Sequence, residues 1–533
     1  MIQRKLFLIL LLYSFVLYAQ NLPSGGRLKP EQAIMDVRHY TLALEVNPQT
    51  QTLSGYTEVR INYSQVPSSI VLDLWHGLTV TRVLVNGKPA SFQHTQDDVL
   101  KIDAQHVKPG NLTNQTVRVY YNGKPGIAER PPWIGGFQWE KDSRGNPWVA
   151  ITCQNEGGKI FFPCKDHPSD EPDEGADLLI TVPKGLVAAG PGLLISQKNK
   201  GSQTTFHWRT QYPISNYCLV FNIGKFKKVS RPYITIAGNT VPMDFYVLEE
   251  HEDKAQSLLT LLEESCRILE KYFGEYPWVK EKIGICETPH LGMEHQTLNA
   301  YGNKFRYTKI NGRDHDWLLV HEFGHEWWAN KITNRDWAHM WIQEGICSFA
   351  DALHLLEKGG PDAYRQAMQR NAWNAQNKLP IVQGEEINSD QAYHSDIYGK
   401  GAFFMHTLRY VLGDDVFFPA LKKLATDPRY VSPNTVTTDD VEQLFSSAYG
   451  RSLKPLFDLY LRTTQKLDIQ LVQTGDKQFR ISLLNLDDEI PVDIVTSTGR
   501  QRMMVGKNPK QIISDTLPQI DPDGFYLKRL LIE

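Results

Sequence analysis

The chain has 533 residues, a formal net charge of -3 and 41% hydrophobic residues. That length exceeds one ordinary domain and predicts two to four. The near-balance of charge argues against nucleic acid or an anionic membrane as a partner, and the apolar content argues against wholesale disorder.

The chain opens with a basic start, Arg4 and Lys5, followed by an apolar run over residues 6–19. Such a run is short for a bilayer span and suits the core of a signal peptide, with Leu17 and Ala19 at the cleavage positions. An uncleaved membrane anchor is the alternative. No Cys follows the run, which argues against a lipid anchor there, and no other apolar run approaches 18 residues. The expectation is an exported protein, periplasmic or extracellular, without a stable membrane anchor after cleavage of residues 1–19. Six cysteines are scattered along the chain, too sparsely for a disulfide framework. Cys153 and Cys164 either pair or remain free thiols. Asn62, Asn111 and Asn114 lie in Asn-X-Ser/Thr sequons.

From about residue 36 to 229 the period is mostly two. Tyr40, Leu42, Leu44 and Val46 alternate with polar residues, and Val80, Val83 and Val85 do so with slips before an Asn86-Gly87 turn. These features predict an antiparallel β domain over 20–229. The style then changes: Leu258, Leu259, Leu262, Cys266, Leu269 and Phe273 fall at helical spacing, stopped by Gly274 and Pro277. Further helices are predicted near 316–330, 343–357, 397–412 and 438–449, the last capped by Thr437 or Thr438. A helix-rich domain is thus expected over 230–464. A return to period two, at Phe479, Ile481, Leu483, Val492 and Ile494, predicts a small β domain over 465–533. The fold class is multidomain α+β.

The chemistry concentrates in His321-Glu322-Phe323-Gly324-His325. Two His four apart on a helix project from one face and can hold one Zn²⁺ at about 2.0–2.1 Å. Glu322 follows the first ligand, where a carboxylate can take a proton from water without joining the metal. Two His leave a catalytic zinc one ligand short. Glu344, in Trp341-Ile342-Gln343-Glu344-Gly345, supplies it after enough chain for a loop and a second helix. Asp351 lies two helical turns beyond Glu344. It either accepts the outer N–H of a ligand His or is simply solvated. Spacing alone does not identify a donor for the oxyanion.

His321-Glu322-X-X-His325 followed by eighteen residues and Glu344 resembles the aminopeptidase N family of gluzincins, which includes leukotriene hydrolase. Gly292-Met293-Glu294-His295 resembles that family's exopeptidase motif, although His295 stands where the family has Asn. Tyr398-Gly399-Lys400-Gly401 resembles its Tyr-X-Lys-Gly motif. Phe162-Pro163-Cys164-Lys165-Asp166 and Cys153-Gln154 resemble two further segments. The resemblance implies a saddle-like N-terminal β domain, a thermolysin-like catalytic domain and one zinc ion. It also implies that Glu294, helped by Gln154, grips the substrate's free amine, that Tyr398 donates to the oxyanion, and that Gly292 and Met293 line the substrate. Many family members carry a large helical C-terminal domain; the short β tail here leads one to expect a more open cleft.

Three functions compete. The first is a zinc aminopeptidase acting on peptides with a free N-terminus, favoured by Glu294. The second is a gluzincin endopeptidase. The third is a non-catalytic peptide-binding protein, against which the intact His321, Glu322, His325, Glu344 and Tyr398 argue.

Overall fold

The computed structural model describes residues 22–431 and 433–533. The proposed signal peptide therefore lies outside the described residues. No helix among the described residues is long and apolar enough to cross a membrane.

The N-terminal unit is built on an eight-stranded sheet. Its strand Met35–Asn47 pairs antiparallel with Thr52–Tyr63, and Tyr40, Leu42, Leu44 and Val46 all point into the core. The other side of Met35–Asn47 pairs parallel with Ala176–Pro183, and the expectation of a purely antiparallel domain is corrected along this register. The slip among Val80, Val83 and Val85 is a register shift between Val80 and Arg82, where strand Leu78–Val85 meets Gln115–Gly123. Asn86 and Gly87 both take positive φ, 52° and 75°, the tight reversal their sequence suggested. A four-stranded sheet contains the hairpin Gly136–Lys141 and Pro147–Thr152. Gln154 and Asn155 leave its end toward the catalytic unit.

The strand Phe226–Ile234 runs across position 229 and pairs with Thr240–Leu248 in a five-stranded sheet, whose far edge is the short strand Gly292–Met293. Helix Ala255–Phe273 buries the apolar stripe read from its spacing, and Gly274 ends it at φ 87°. The helix expected over 316–330 is only Trp317–Gly324, and His325 is its C-cap. The helix expected over 343–357 runs from Trp341 to Asn374, broken at Gly360, where φ is 80°, just before Pro361. Helices Gly399–Leu412 and Thr438–Tyr449 match expectation, the latter through a capping box between Thr437 and Asp440. Helices Asp414–Thr426 and Lys454–Leu461 had not been foreseen. Each contains a Pro, and the second is short, which obscured the period.

The C-terminal residues form a four-stranded and a three-stranded sheet. They brace helix Gly399–Leu412: Phe525 stacks on Tyr410 with ring centroids 3.9 Å apart, and Thr407 donates to the Phe525 carbonyl at 2.7 Å. All six cysteines are buried free thiols, so Cys153 and Cys164 are unpaired.

Candidate metal centre and cleft

Helix Trp317–Gly324 is fixed at its start by Asp316. That carboxylate accepts from the Leu319 N–H at 3.2 Å, capping the helix, and also from Tyr301 Oη at 2.6 Å and Asn303 Nδ2 at 2.8 Å. Tyr301 lies in the strand Asn299–Tyr301 that pairs with Gly292–Met293, so helix and sheet edge are tied together. Beyond the helix, Glu326 is buried and accepts from Trp278 Nε1 at 2.7 Å, the Thr297 N–H at 3.0 Å and Asn330 Nδ2 at 3.2 Å. His325 keeps right-handed backbone angles, φ -66° and ψ -14°. The two imidazoles therefore still converge although the helix stops between them.

Two close approaches bring in the other groups. A Cβ on Gly324 would lie 2.8 Å from Cys347 Sγ, so the histidine helix and the helix bearing Glu344 meet there without room for a side chain. A Cβ on Gly401 would lie 2.9 Å from Gly345 Cα. This second crossing sets Tyr398, at the start of helix Gly399–Leu412, beside Glu344.

The three expected ligands come together. His321 Nε2 lies 3.3 Å from His325 Nε2, and Glu344 Oε2 lies 3.7 Å and 3.4 Å from those two nitrogens. Tetrahedral bonds of about 2.0–2.1 Å require ligand atoms roughly 3.3–3.4 Å apart, so the triangle fits one zinc ion. Proton placement agrees. His321 Nδ1 lies 2.8 Å from Asp351 Oδ2 and His325 Nδ1 lies 2.7 Å from the Trp328 carbonyl. Carboxylate and carbonyl oxygens accept, so both Nδ1 atoms carry the proton and both Nε2 atoms present lone pairs. Glu344 Oε2 finds no hydrogen-bond donor among the described residues. Two lone pairs and a buried carboxylate oxygen facing one point are explained by a cation there. Burial alone would raise the Glu344 carboxyl; with no ion bound, protons on His325 and His321 would hold it well below the usual carboxylate range, and a bound cation would take the place of those protons.

Glu322 is buried beside this triangle. Burial pushes its carboxyl up to about 8, against the pull of His321 and with the push of Glu294. A cation between the ligands would draw it back down. Gly292 is where it is because of Glu322: a Cβ there would lie 2.4 Å from Glu322 Oε1 and 2.8 Å from Leu318 Cδ1. Glu294, 3% exposed, accepts from Gln154 Nε2 at 2.6 Å and Tyr217 Oη at 2.9 Å. Its carboxylate, that of Glu322 and a His325 nitrogen lie within 4.8 Å of one another. Burial raises the Glu294 carboxyl, partly offset by His325. Tyr398 Oη lies 2.9 Å from Tyr393 Oη, and both rings line the same cleft of about 620 Å³ as the ligands, Gln154, Gly292, Met293 and Glu294. Every site residue expected from the sequence is thus in or directly behind one cleft.

Tyr217 and Tyr393 escaped the sequence reading because neither lies in a motif. A third omission is Cys347, one turn beyond Glu344. Its thiol donates to the His321 carbonyl at 3.1 Å, and its sulfur lies within 4.8 Å of ligand nitrogens of His321 and His325. His295, the departure from the family pattern, is fully buried, and neither ring nitrogen finds a hydrogen-bond partner among the described residues; burial holds it well below its ordinary pKa, as neutral imidazole.

Comparison with solved structures supports the fold. An M1 zinc metallopeptidase from Deinococcus radiodurans, crystallised as a variant with a Tyr-Ser-Ala substrate, superposes with a TM-score of 0.66 at 24% identity, covering 82% of this chain and 95% of that one. Among curated proteins, the chain is 21% identical over 448 residues to the leucyl aminopeptidase of Saccharolobus solfataricus, covering 79% of this chain and 53% of that protein. It is 25% identical over 409 residues to mouse aminopeptidase B, covering 71% and 60%. The chain therefore spans between half and two thirds of the length of these relatives. The model of the peptidase M1 N-terminal domain matches residues 37–218, and that of the peptidase family M1 domain matches residues 259–460. Together they take in most of the chain and every candidate site residue: the chain belongs to peptidase family M1.

Proposed function

We propose that this protein is a zinc-dependent aminopeptidase that removes N-terminal residues from peptides. One observation carries the choice of an exopeptidase: the buried carboxylate of Glu294, held by Gln154 and Tyr217, sits within 4.8 Å of Glu322 and His325 atoms. A buried anion at that distance closes one end of the cleft to a continuing chain and favours an ammonium group.

His321, His325 and Glu344 would hold the metal, with Asp351 fixing the tautomer of His321. Zinc bound there supplies Lewis acidity toward water and toward the scissile carbonyl. Glu322 takes a proton from the attacking water and delivers it to the leaving amine. Tyr398 donates its O–H to the oxyanion as it develops. Glu294 and Gln154 hold the free amine, and Gly292 and Met293 line the substrate backbone. We further propose export to the periplasm or exterior, supported by the basic start and the apolar run over residues 6–19. The substrates are peptides, and the near-neutral charge balance gives no support for nucleic acid as a partner.

The test is a panel of aminoacyl amides beside N-acetylated peptides of matching sequence, with and without chelator. Turnover restricted to free amines and abolished by chelator is expected. Equal cleavage of blocked and free peptides would favour an endopeptidase instead. In the same panel, Glu294→Ala should cost free-amine substrates about 10–10²-fold in kcat/KM, the scale of a hydrogen bond to a charged group. An equal loss on des-amino analogues would make Glu294 structural.

A further inference from the structure

Among the described residues, tryptophan is exposed at three positions: Trp133 at 44%, Trp317 at 49% and Trp373 at 89%. Trp133 and Trp317 line the cleft, while Trp373 does not. Trp133 lies at the end occupied by Gln154, since its carbonyl accepts from Asn155 Nδ2 at 3.2 Å.

Trp317 lies at the other end, which is fixed by the way the edge strand runs along the histidine helix. Gly292 sits against Leu318 and Glu322. Two residues on, the Glu294 carbonyl accepts from Asn330 Nδ2 at 2.8 Å, beyond the helix's C-terminal end. From Gly292 to Glu294 the strand thus advances in the same sense as the helix. Trp317, the first helical residue, is one turn before His321, at the helix end away from Asn330 and the Glu294 carbonyl it holds. A peptide with its ammonium on Glu294 and its first carbonyl between Glu322 and the metal ligands must leave past Leu318 and Trp317.

Resting on the aminopeptidase reading, we infer that Trp317 is a specificity-determining residue that reads the side chain immediately after the scissile bond, favouring large apolar and aromatic residues at the substrate's second position. Capping of the helix is supplied by Asp316, so folding does not require an indole at Trp317. A half-exposed indole is an apolar face available to a ligand, and aromatic side chains offer both area and stacking geometry to it. Outside the ligands, Glu294 and Glu322 are the only acidic or basic side chains among the described residues lining this cleft; the rest of the lining, Asn371, Asn374 and Gln376 included, is uncharged, so no other ionic group of the lining competes with apolar contact at Trp317.

The test compares kcat/KM for Leu-Phe-Ala and Leu-Gly-Ala, with leucinamide hydrolysis measured on the same preparations. The wild type should favour Phe over Gly by about tenfold, the usual scale of discrimination by an apolar wall. Trp317→Ala should bring that ratio close to one, Trp317→Phe should keep most of it, and Trp373→Ala should leave it at the wild-type value. A wild-type ratio that persists in Trp317→Ala, or that falls as far in Trp373→Ala, would overturn the inference while leucinamide turnover keeps the aminopeptidase reading intact. Absence of chelator-sensitive leucinamide hydrolysis in the wild type would overturn both.

Discussion

The metal end of the cleft takes its groups from one stretch of chain, His321 to Asp351, while the amine end gathers Gln154, Tyr217 and Glu294 from two structural units. At the metal end, helical spacing and the close approach at Gly324 place the ligands, a second close approach at Gly401 sets Tyr398 beside them, and each Nδ1 is held by a partner close in the fold. At the amine end nothing local places the carboxylate: Gln154 lies 140 positions and Tyr217 77 positions from Glu294. The first end is set once two helices pack; the second exists only when the N-terminal unit docks on the catalytic one. Holding the metal and gripping the amine therefore depend on different tertiary contacts.

The sharpest break of this comparison is Glu322→Gln. It should bind metal stoichiometrically while losing about 10²–10⁴ in kcat, the usual worth of a general base. Metal analysis beside steady-state kinetics checks it; wild-type turnover would remove Glu322 from the chemistry.

The amine end predicts a pH effect on stability through Glu156, two residues after Gln154. Burial pushes this carboxyl up to about 7 from 4.5, although the Gly135 N–H donates to it at 2.7 Å. The folded state holds the proton more tightly than the unfolded one. The associated stability is fully present below pH 4.5 and is lost as pH rises to 7, by up to about 3 kcal/mol. Glu156→Gln should flatten that decline in chemical denaturation between pH 4.5 and 7.5; an unchanged slope would mean that Glu156 titrates normally.

Asp351→Ala tests the metal end more gently. Loss of the partner on His321 Nδ1 should weaken metal affinity about 10–100-fold, measured by competition with a chromophoric chelator. Unaltered affinity would return Asp351 to an ordinary surface carboxylate.

The smallest effect is expected from Tyr217→Phe. Removing one of the two donors to Glu294 should lower kcat/KM for aminoacyl amides by roughly fivefold, near 1 kcal/mol. The deficit should be absent on des-amino analogues, and a deficit equal on both would dissolve the link between the two units that this tyrosine represents.

Whatever repeats along a short span was legible in the order of residues. The spacing of His321, Glu322 and His325 survives even though the helix ends at Gly324, because a single right-handed C-cap residue preserves the direction of the side chain. The capping box at Thr437, the stripe on helix Ala255–Phe273 and the Asn86-Gly87 turn are likewise local events of backbone and side chain. The family resemblance, not spacing, had pointed to Glu294, Gln154 and Tyr398. Tertiary structure alone decided that Tyr217 supports Glu294, that Tyr393 faces Tyr398, that residues 40–45 pair parallel with residues 176–181, and that Trp317 is left uncovered downstream. The first and third of these join residues 77 and 136 positions apart, and the other two depend on how a turn or a neighbouring element presents a side chain. No periodicity records them, since each is settled by how whole sheets and helices pack.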